Sequence, residues 1–223
     1  ALAPSGEKKR VRAALILPDH SVRVSVLDFD AFPDDPKQQL PLVRFRLKKS
    51  LPFDIDAAAI SYYAQPNRQR VDVVVAAAPL EVLTRYEMPF RAAGFHLGLV
   101  TTSTLCALQM VKGTGVAVVA KRSTRALTLA VLDGGVLKLL RSIELSDGGV
   151  AEVASHLHPT FAYMEDQLGQ RPEEVLTCGF GNSSDDLAAE IGQPCVPLRS
   201  RYGLPDPFNA GLLGYLECLE TIQ

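Results

Sequence analysis

The stretch Gly179-Phe180-Gly181-Asn182-Ser183-Ser184 follows a short apolar run and precedes a helical pattern. A strand, a glycine loop and a helix N-terminus together aim backbone N–H groups and a positive dipole end at an anion. The alternative is a tight strand-to-helix turn capped by Ser183 or Ser184. Lys121-Arg122-Ser123-Thr124-Arg125 is a second candidate, three cations and two hydroxyls in a turn between strands, placed to meet a phosphate or an acidic partner. Its alternative is a solvated hairpin tip. No G-x-S-x-G elbow, G-x-x-x-x-G-K-[ST] loop or H-E-x-x-H helix occurs, so the common hydrolase, P-loop and zincin chemistries have no anchor. His156 and His158 are two apart and point to different faces of a helix, which argues against a metal site. Cys106, Cys178, Cys195 and Cys218 lack any C-x-x-C spacing and read as buried, reduced thiols.

Those candidates need elements to position them. Val11 to Leu17 and Val22 to Phe29 alternate apolar and polar about Pro18-Asp19-His20-Ser21 and predict a hairpin. Leu40, Val43, Leu47 and Leu51 predict an amphipathic helix with Pro41 in its first turn. Ala59 to Gln65 predicts a strand, Pro66-Asn67-Arg68 a turn, and Val71 to Ala78, apolar without alternation, a strand covered on both faces. A helix opened by Pro79, kinked at Pro89 and closed by Gly94, carries Val82, Leu83, Tyr86 and Phe90 on one face before a strand from His96 to Thr102. Lys112-Gly113-Thr114-Gly115 marks a boundary between two lobes.

Beyond that boundary three strands follow, the last two joined at Asp133-Gly134-Gly135, whose residues accept positive φ. Val150 to Leu168 predicts a helix interrupted by Pro159 and ended by Gly169. A short strand at Val175, a helix from Asp185, a strand near Cys195 and a helix from about Phe208 complete an α/β pattern.

Bulk properties exclude several classes. The 223 residues are 47% hydrophobic and 22% charged, an ordinary globular composition, and the net charge of -2 supplies no global field for nucleic acid. The longest nearly unbroken apolar run, Val73 to Leu80, is far short of the ~18 residues of a spanning helix. Ala1 in place of Met and the polar Ser5 to Arg10 read as a trimmed start, not a targeting signal.

Several strings, in order, resemble the PilM family of type IV pilus assembly proteins, within the actin-like ATPase superfamily. They are Leu15-Ile16-Leu17-Pro18, Leu47 to Asp54, Ser61-Tyr62-Tyr63, Val71 to Pro79 with Glu81-Val82, Ala92 to Phe95, the Asp133-Gly134 hairpin with Arg141-Ser142-Ile143, and Leu176 to Gly181. The resemblance spans about residues 11 to 218. It implies two lobes of mixed β-sheet with flanking helices, a partial actin-like (ribonuclease H-like) fold lacking some subdomains. Residues 1–110 would form a first lobe with an inserted α/β subdomain, and residues 111–223 the second.

The departures from that pattern bear on function. The family's first phosphate loop would precede this chain. The stretch matching the second reads Val118 to Thr124, without its acid or glycine, and Phe180 stands where the adenosine turn has a second glycine. A helical insertion after Ile143 is missing. The resemblance therefore implies a degenerate, non-catalytic ATPase with no cofactor, cytoplasmic and peripheral to the inner membrane. It would bind the cytoplasmic tail of a PilN-like inner-membrane protein, with Leu51, Pro52 and Phe53 as the expected contact. The alternatives are residual binding of ATP with Mg at Gly179, Gly181, Ser123 and Thr124, and self-assembly into a homo-oligomer through a strand edge.

Overall fold

The computed structural model describes residues 11–65 and 70–221. Strand β1 (Val11–Leu17) forms where alternation places it, yet it does not fold back on its neighbour. A 3₁₀ turn at Asp19–Ser21 redirects the chain, and β2 (Arg23–Phe29) joins another sheet, so the expected hairpin is absent. The cause lies in the turn: Asp19 is drawn into the interior, and a turn with a buried carboxylate cannot close as a solvated hairpin loop.

Helix α1 (Pro36–Leu47) starts after Asp35, whose carboxylate accepts the Lys37 N–H. Pro36 takes the first helical position, where a missing N–H is harmless, and so Pro41 falls in the second turn instead of the first. Val43 and Leu47 are buried, whereas Leu40, at the edge of the apolar stripe, is exposed. Strands β3 (Ala58–Gln65) and β4 (Val71–Pro79) pair antiparallel with β4 central, in the order β2-β4-β3. The turn expected at 66–68 lies outside the described residues. β4 lacks alternation because both its faces are covered. Val73, Val75 and Ala77 face α1 with Phe29 and Ile55, while Val74 and Ala76 face the other way onto Ala130, Leu137 and Leu140.

Helix α2 (Leu80–Ala92) half-buries its stripe of Val82, Leu83, Tyr86 and Phe90 and ends at Gly94, whose φ of 84° suits glycine. Strand β5 (Phe95–Thr102) then runs parallel to β1 in a two-stranded sheet and leads into α3 (Ser103–Ala107), capped by Thr102.

The remaining chain forms one five-stranded sheet. Strands β6 (Val116–Arg122), β7 (Ala126–Asp133) and β8 (Val136–Glu144) make an antiparallel meander. Gly134 and Gly135, with φ of 58° and 81°, supply the paired positive φ of a tight hairpin turn. Helix α4 (Val150–Leu168) runs unbroken through Pro159, where an interruption was expected, to a left-handed Gly169. Ser155, whose carbonyl Pro159 cannot reach, is on the exposed face, so water can serve it. Strand β9 (Val175–Cys178), α5 (Ser183–Ile191), β10 (Cys195–Pro197) and α6 (Ala210–Thr221) follow, giving the order β10-β9-β6-β7-β8. On β6, Val118 and Ala120 pack under α4 and α5, while Val119 faces the opposite core with Val24 and Leu108. No helix among the described residues is long and apolar enough to cross a membrane.

Two features fasten the sheets together. Helices α3 and α6 pack so closely that a Cβ on Gly214 would sit 2.0 Å from the Cys106 carbonyl oxygen. At the end of β3, the Gln65 amide acts as an extra strand residue, donating to the Leu137 carbonyl at 2.8 Å and accepting the Leu137 N–H at 2.8 Å. Beside it Lys138 Nζ is 2.6 Å from Asp72. Gln65→Ala leaves a buried backbone donor and acceptor of Leu137 without these partners and is expected to lower stability by about 2 kcal/mol, read from the midpoint of urea unfolding.

Candidate functional site

Strand parity decides the fate of Lys121. It follows Val119 by two and therefore points to the same interior face, so it cannot sit on a solvated tip. Its side chain is only 2% exposed, and Nζ donates to Asp19 Oδ2 at 2.8 Å. Asp19, 8% exposed, also accepts the Thr104 N–H at 2.8 Å on Oδ1 and the Thr104 hydroxyl at 2.7 Å on Oδ2. One carboxylate thus ties the turn after β1, the start of α3 and the end of β6. Sequence reasoning missed Asp19 and Thr104. The available signal was a lysine in register with buried valines, which requires an acid somewhere in the fold.

The rest of the cationic stretch is equally committed. Arg122, still within β6, donates from Nε to the Gly179 carbonyl and from Nη1 to the Gly148 carbonyl, both at 3.2 Å, and its guanidinium lies 4.9 Å over the Phe180 ring. Ser123 closes a turn on the Ala126 carbonyl through both its N–H at 2.8 Å and its hydroxyl at 3.3 Å. Thr124 and Arg125 alone are exposed. The expected turn of three clustered cations is therefore a strand end with two of them engaged inside the fold.

Gly179 and Gly181 both adopt positive φ, 81° and 51°. A Cβ on Gly179 would lie 2.2 Å from the Arg122 carbonyl oxygen and 3.1 Å from Pro207, so glycine is required there by backbone packing. Space over Gly181 is open. Phe180 is buried in the core with Val175 and Leu187, its ring under the Arg122 guanidinium. The cap of α5 is Asn182, without a side-chain hydrogen bond, and not Ser183 or Ser184. Ser184 instead bonds Thr177 Oγ1 at 3.2 Å, because it already lies inside the first helical turn. The structure thus brings Ser123 beside Gly179 through Arg122, with the Ser123 hydroxyl turned to its own loop.

Leu51 and Phe53 are half-buried against Val43, Leu47 and Ile55, and Pro52 between them is exposed. All four cysteines are free, Cys106 and Cys178 buried and the other two half-buried. Burial pushes the thiols of Cys106 and Cys178 up to about 11, so neither is a thiolate nucleophile at neutral pH. Among the described residues no group of three His, Cys, Asp or Glu converges as a metal site. Asp19→Ala strands a buried ammonium and is expected to cost about 3–5 kcal/mol. The double variant Asp19→Ala/Lys121→Met should recover at least half of that loss in chemical denaturation, because the buried charge goes with its partner.

No protein-family model matches the sequence, and no curated protein matches it either. Solved structures do resemble the fold. A chain of the PilM–PilN type IV pilus biogenesis complex aligns with 93% of this chain and 80% of its own length, at a TM-score of 0.73 and 16% identity. A Bacteroides thetaiotaomicron protein of actin-like ATPase fold and unknown function aligns with 94% of this chain and 74% of its own, at 0.57 and 14% identity. The cytoplasmic domain of EpsL, an inner-membrane component of the type II secretion system of Vibrio cholerae, aligns over the same shares at 0.52 and 12% identity. Together with the observed sheets, these likenesses show that the chain is an α/β protein of the actin-like ATPase fold, similar in architecture to the PilM–PilN complex chain.

Proposed function

We propose that this chain is a non-catalytic scaffold of a type IV pilus or related secretion machine, cytoplasmic and peripheral to the inner membrane, that holds the cytoplasmic tail of a PilN-like partner. The observation that carries it is the buried Lys121–Asp19 pair. The strand end that resembles a second phosphate loop has its lysine engaged by an internal carboxylate, and Gly179 of the neighbouring turn is closed over by the Arg122 backbone and Pro207. The likeness to structures from a pilus complex and a secretion system supports the kind of machine. For the tail, Pro52 is the exposed point between two anchored apolar residues, Leu51 and Phe53.

A residual ATP site with Mg at Gly179, Gly181, Ser123 and Thr124 is the second reading, favoured by the open space over Gly181. Calorimetric titration with ATP and magnesium separates the two. The scaffold reading expects no saturable heat up to millimolar nucleotide, and saturable binding overturns its pseudo-ATPase half. Immobilised tails of inner-membrane pilus and secretion proteins test the other half. One tail should capture the chain, and Pro52→Glu should weaken that capture about tenfold. Capture by none, or indifference to Pro52→Glu, removes the proposed contact.

A further inference from the structure

Helix α1 concentrates charge of one sign. Between Pro36 and Phe53 there are five cations, Lys37, Arg44, Arg46, Lys48 and Lys49, and no acidic residue, in a chain whose net charge is -2. The two arginines are engaged within the fold. Arg44 Nη2 donates to Asp56 at 2.6 Å and to the Ile55 carbonyl at 3.0 Å. Arg46 donates to the Asp28 carbonyl at 3.2 Å and lies 5.2 Å over the Phe29 ring. The lysines are not so held: among the described residues no hydrogen bond or ion pair engages the ammonium group of Lys37, Lys48 or Lys49, and all three residues are exposed. The nearest acids in sequence are occupied, Asp35 in capping the helix and Asp54 in accepting the Asp56 N–H.

Helical spacing collects these lysines around one aromatic ring. Lys37, Pro41, Phe45 and Lys48 succeed one another four, four and three residues apart and share the face opposite Val43 and Leu47, with Lys49 beside it. Phe45 is 76% exposed at the centre of that face. A phenylalanine ring standing in water amid unpaired ammonium groups has no role in the fold it stands on.

We propose that this face of α1 rests on an anionic lipid surface, with Phe45 inserted at the headgroup–acyl boundary and Lys37, Lys48 and Lys49 among the lipid phosphates. Three arguments choose lipid over an acidic protein. The free cations are lysines, flexible point charges suited to a diffuse field of phosphates, whereas the arginines, the residues suited to reading carboxylates bidentately, are already engaged by Asp56 and by Asp28 with Phe29. The ring protrudes into solvent, and a protruding apolar group is accommodated by fluid acyl chains more readily than by a fixed protein surface. Lysine stems flanking an inserted ring can bury their methylenes while keeping the charge at the headgroups. The inference needs no tail-bearing partner and stands apart from the scaffold reading.

The test is sedimentation of the full chain with vesicles. Binding is expected to mixed phosphatidylglycerol and phosphatidylethanolamine but not to phosphatidylcholine, and it should weaken as salt rises. Phe45→Ser should reduce the partition coefficient about tenfold. The triple variant Lys37→Ala/Lys48→Ala/Lys49→Ala should reduce it about a hundredfold, at ~5-fold per lysine. All four positions are exposed, so circular dichroism and unfolding midpoints should match the parent. Because Lys8, Lys9 and Arg10 could also attract anionic vesicles, the α1 variants decide the outcome. Equal binding to phosphatidylcholine, or anionic binding that neither variant changes, overturns the proposal. So does tighter retention of a labelled polyglutamate peptide with no effect of Phe45→Ser, which would assign the face to an acidic protein.

Discussion

A lysine ammonium can stay in a protein interior only where a carboxylate meets it and the remaining polar atoms of both are satisfied. For Lys121, the most deeply buried lysine among the described residues, Asp19 meets that requirement, and much of the architecture follows from it. Because the carboxylate must reach both Lys121 and Thr104, the turn after β1 is pulled inward. β1 then runs beside β5, and β2 is released to a separate sheet. That sheet lies with Val74 and Ala76 on the five-stranded sheet, fastened by Gln65 and Asp72 to β8. A buried ion pair adds little net stability over an apolar replacement of the same shape. Its use here is specification: it accepts one arrangement of three chain segments and penalises the others.

The same pair bears on chemistry. A lysine at the end of β6 could in principle hold a phosphate, but the one present is engaged by a carboxylate and shielded from water. Arg122 is turned onto Phe180, Gly148 and Gly179. Gly179 is required by how closely the Arg122 backbone approaches it, a packing requirement that a ligand-binding loop would also satisfy and that sequence cannot distinguish. The scaffold proposal starts from these arrangements.

Periodicity made many elements legible, because each depends on what its own residues bury. The Gly134-Gly135 hairpin, the two-faced β4 and the α4 stripe of Val153, Leu157 and Met164 were all readable. Pairing was not. Alternation in β1 predicts a strand but carries no information about its neighbour, which is set by Thr104 and Lys121, some 85 and 102 residues distant from Asp19. Reading Lys121 and Arg122 as loop residues followed from their charge, while their parity with Val118 and Val119 was the sounder guide. Pro41 was misplaced for a local reason, since Pro36 had already taken the favoured position.

Hydrogen exchange at the Thr104 amide tests the account most directly, because that N–H is donated to Asp19 at 2.8 Å beside the buried ammonium. If the Asp19–Lys121 pair pins these segments together, this amide exchanges only through global unfolding and is unmoved by millimolar ATP and magnesium. Exchange through a low-energy local opening, or a change in its protection when nucleotide is added, would contradict the account.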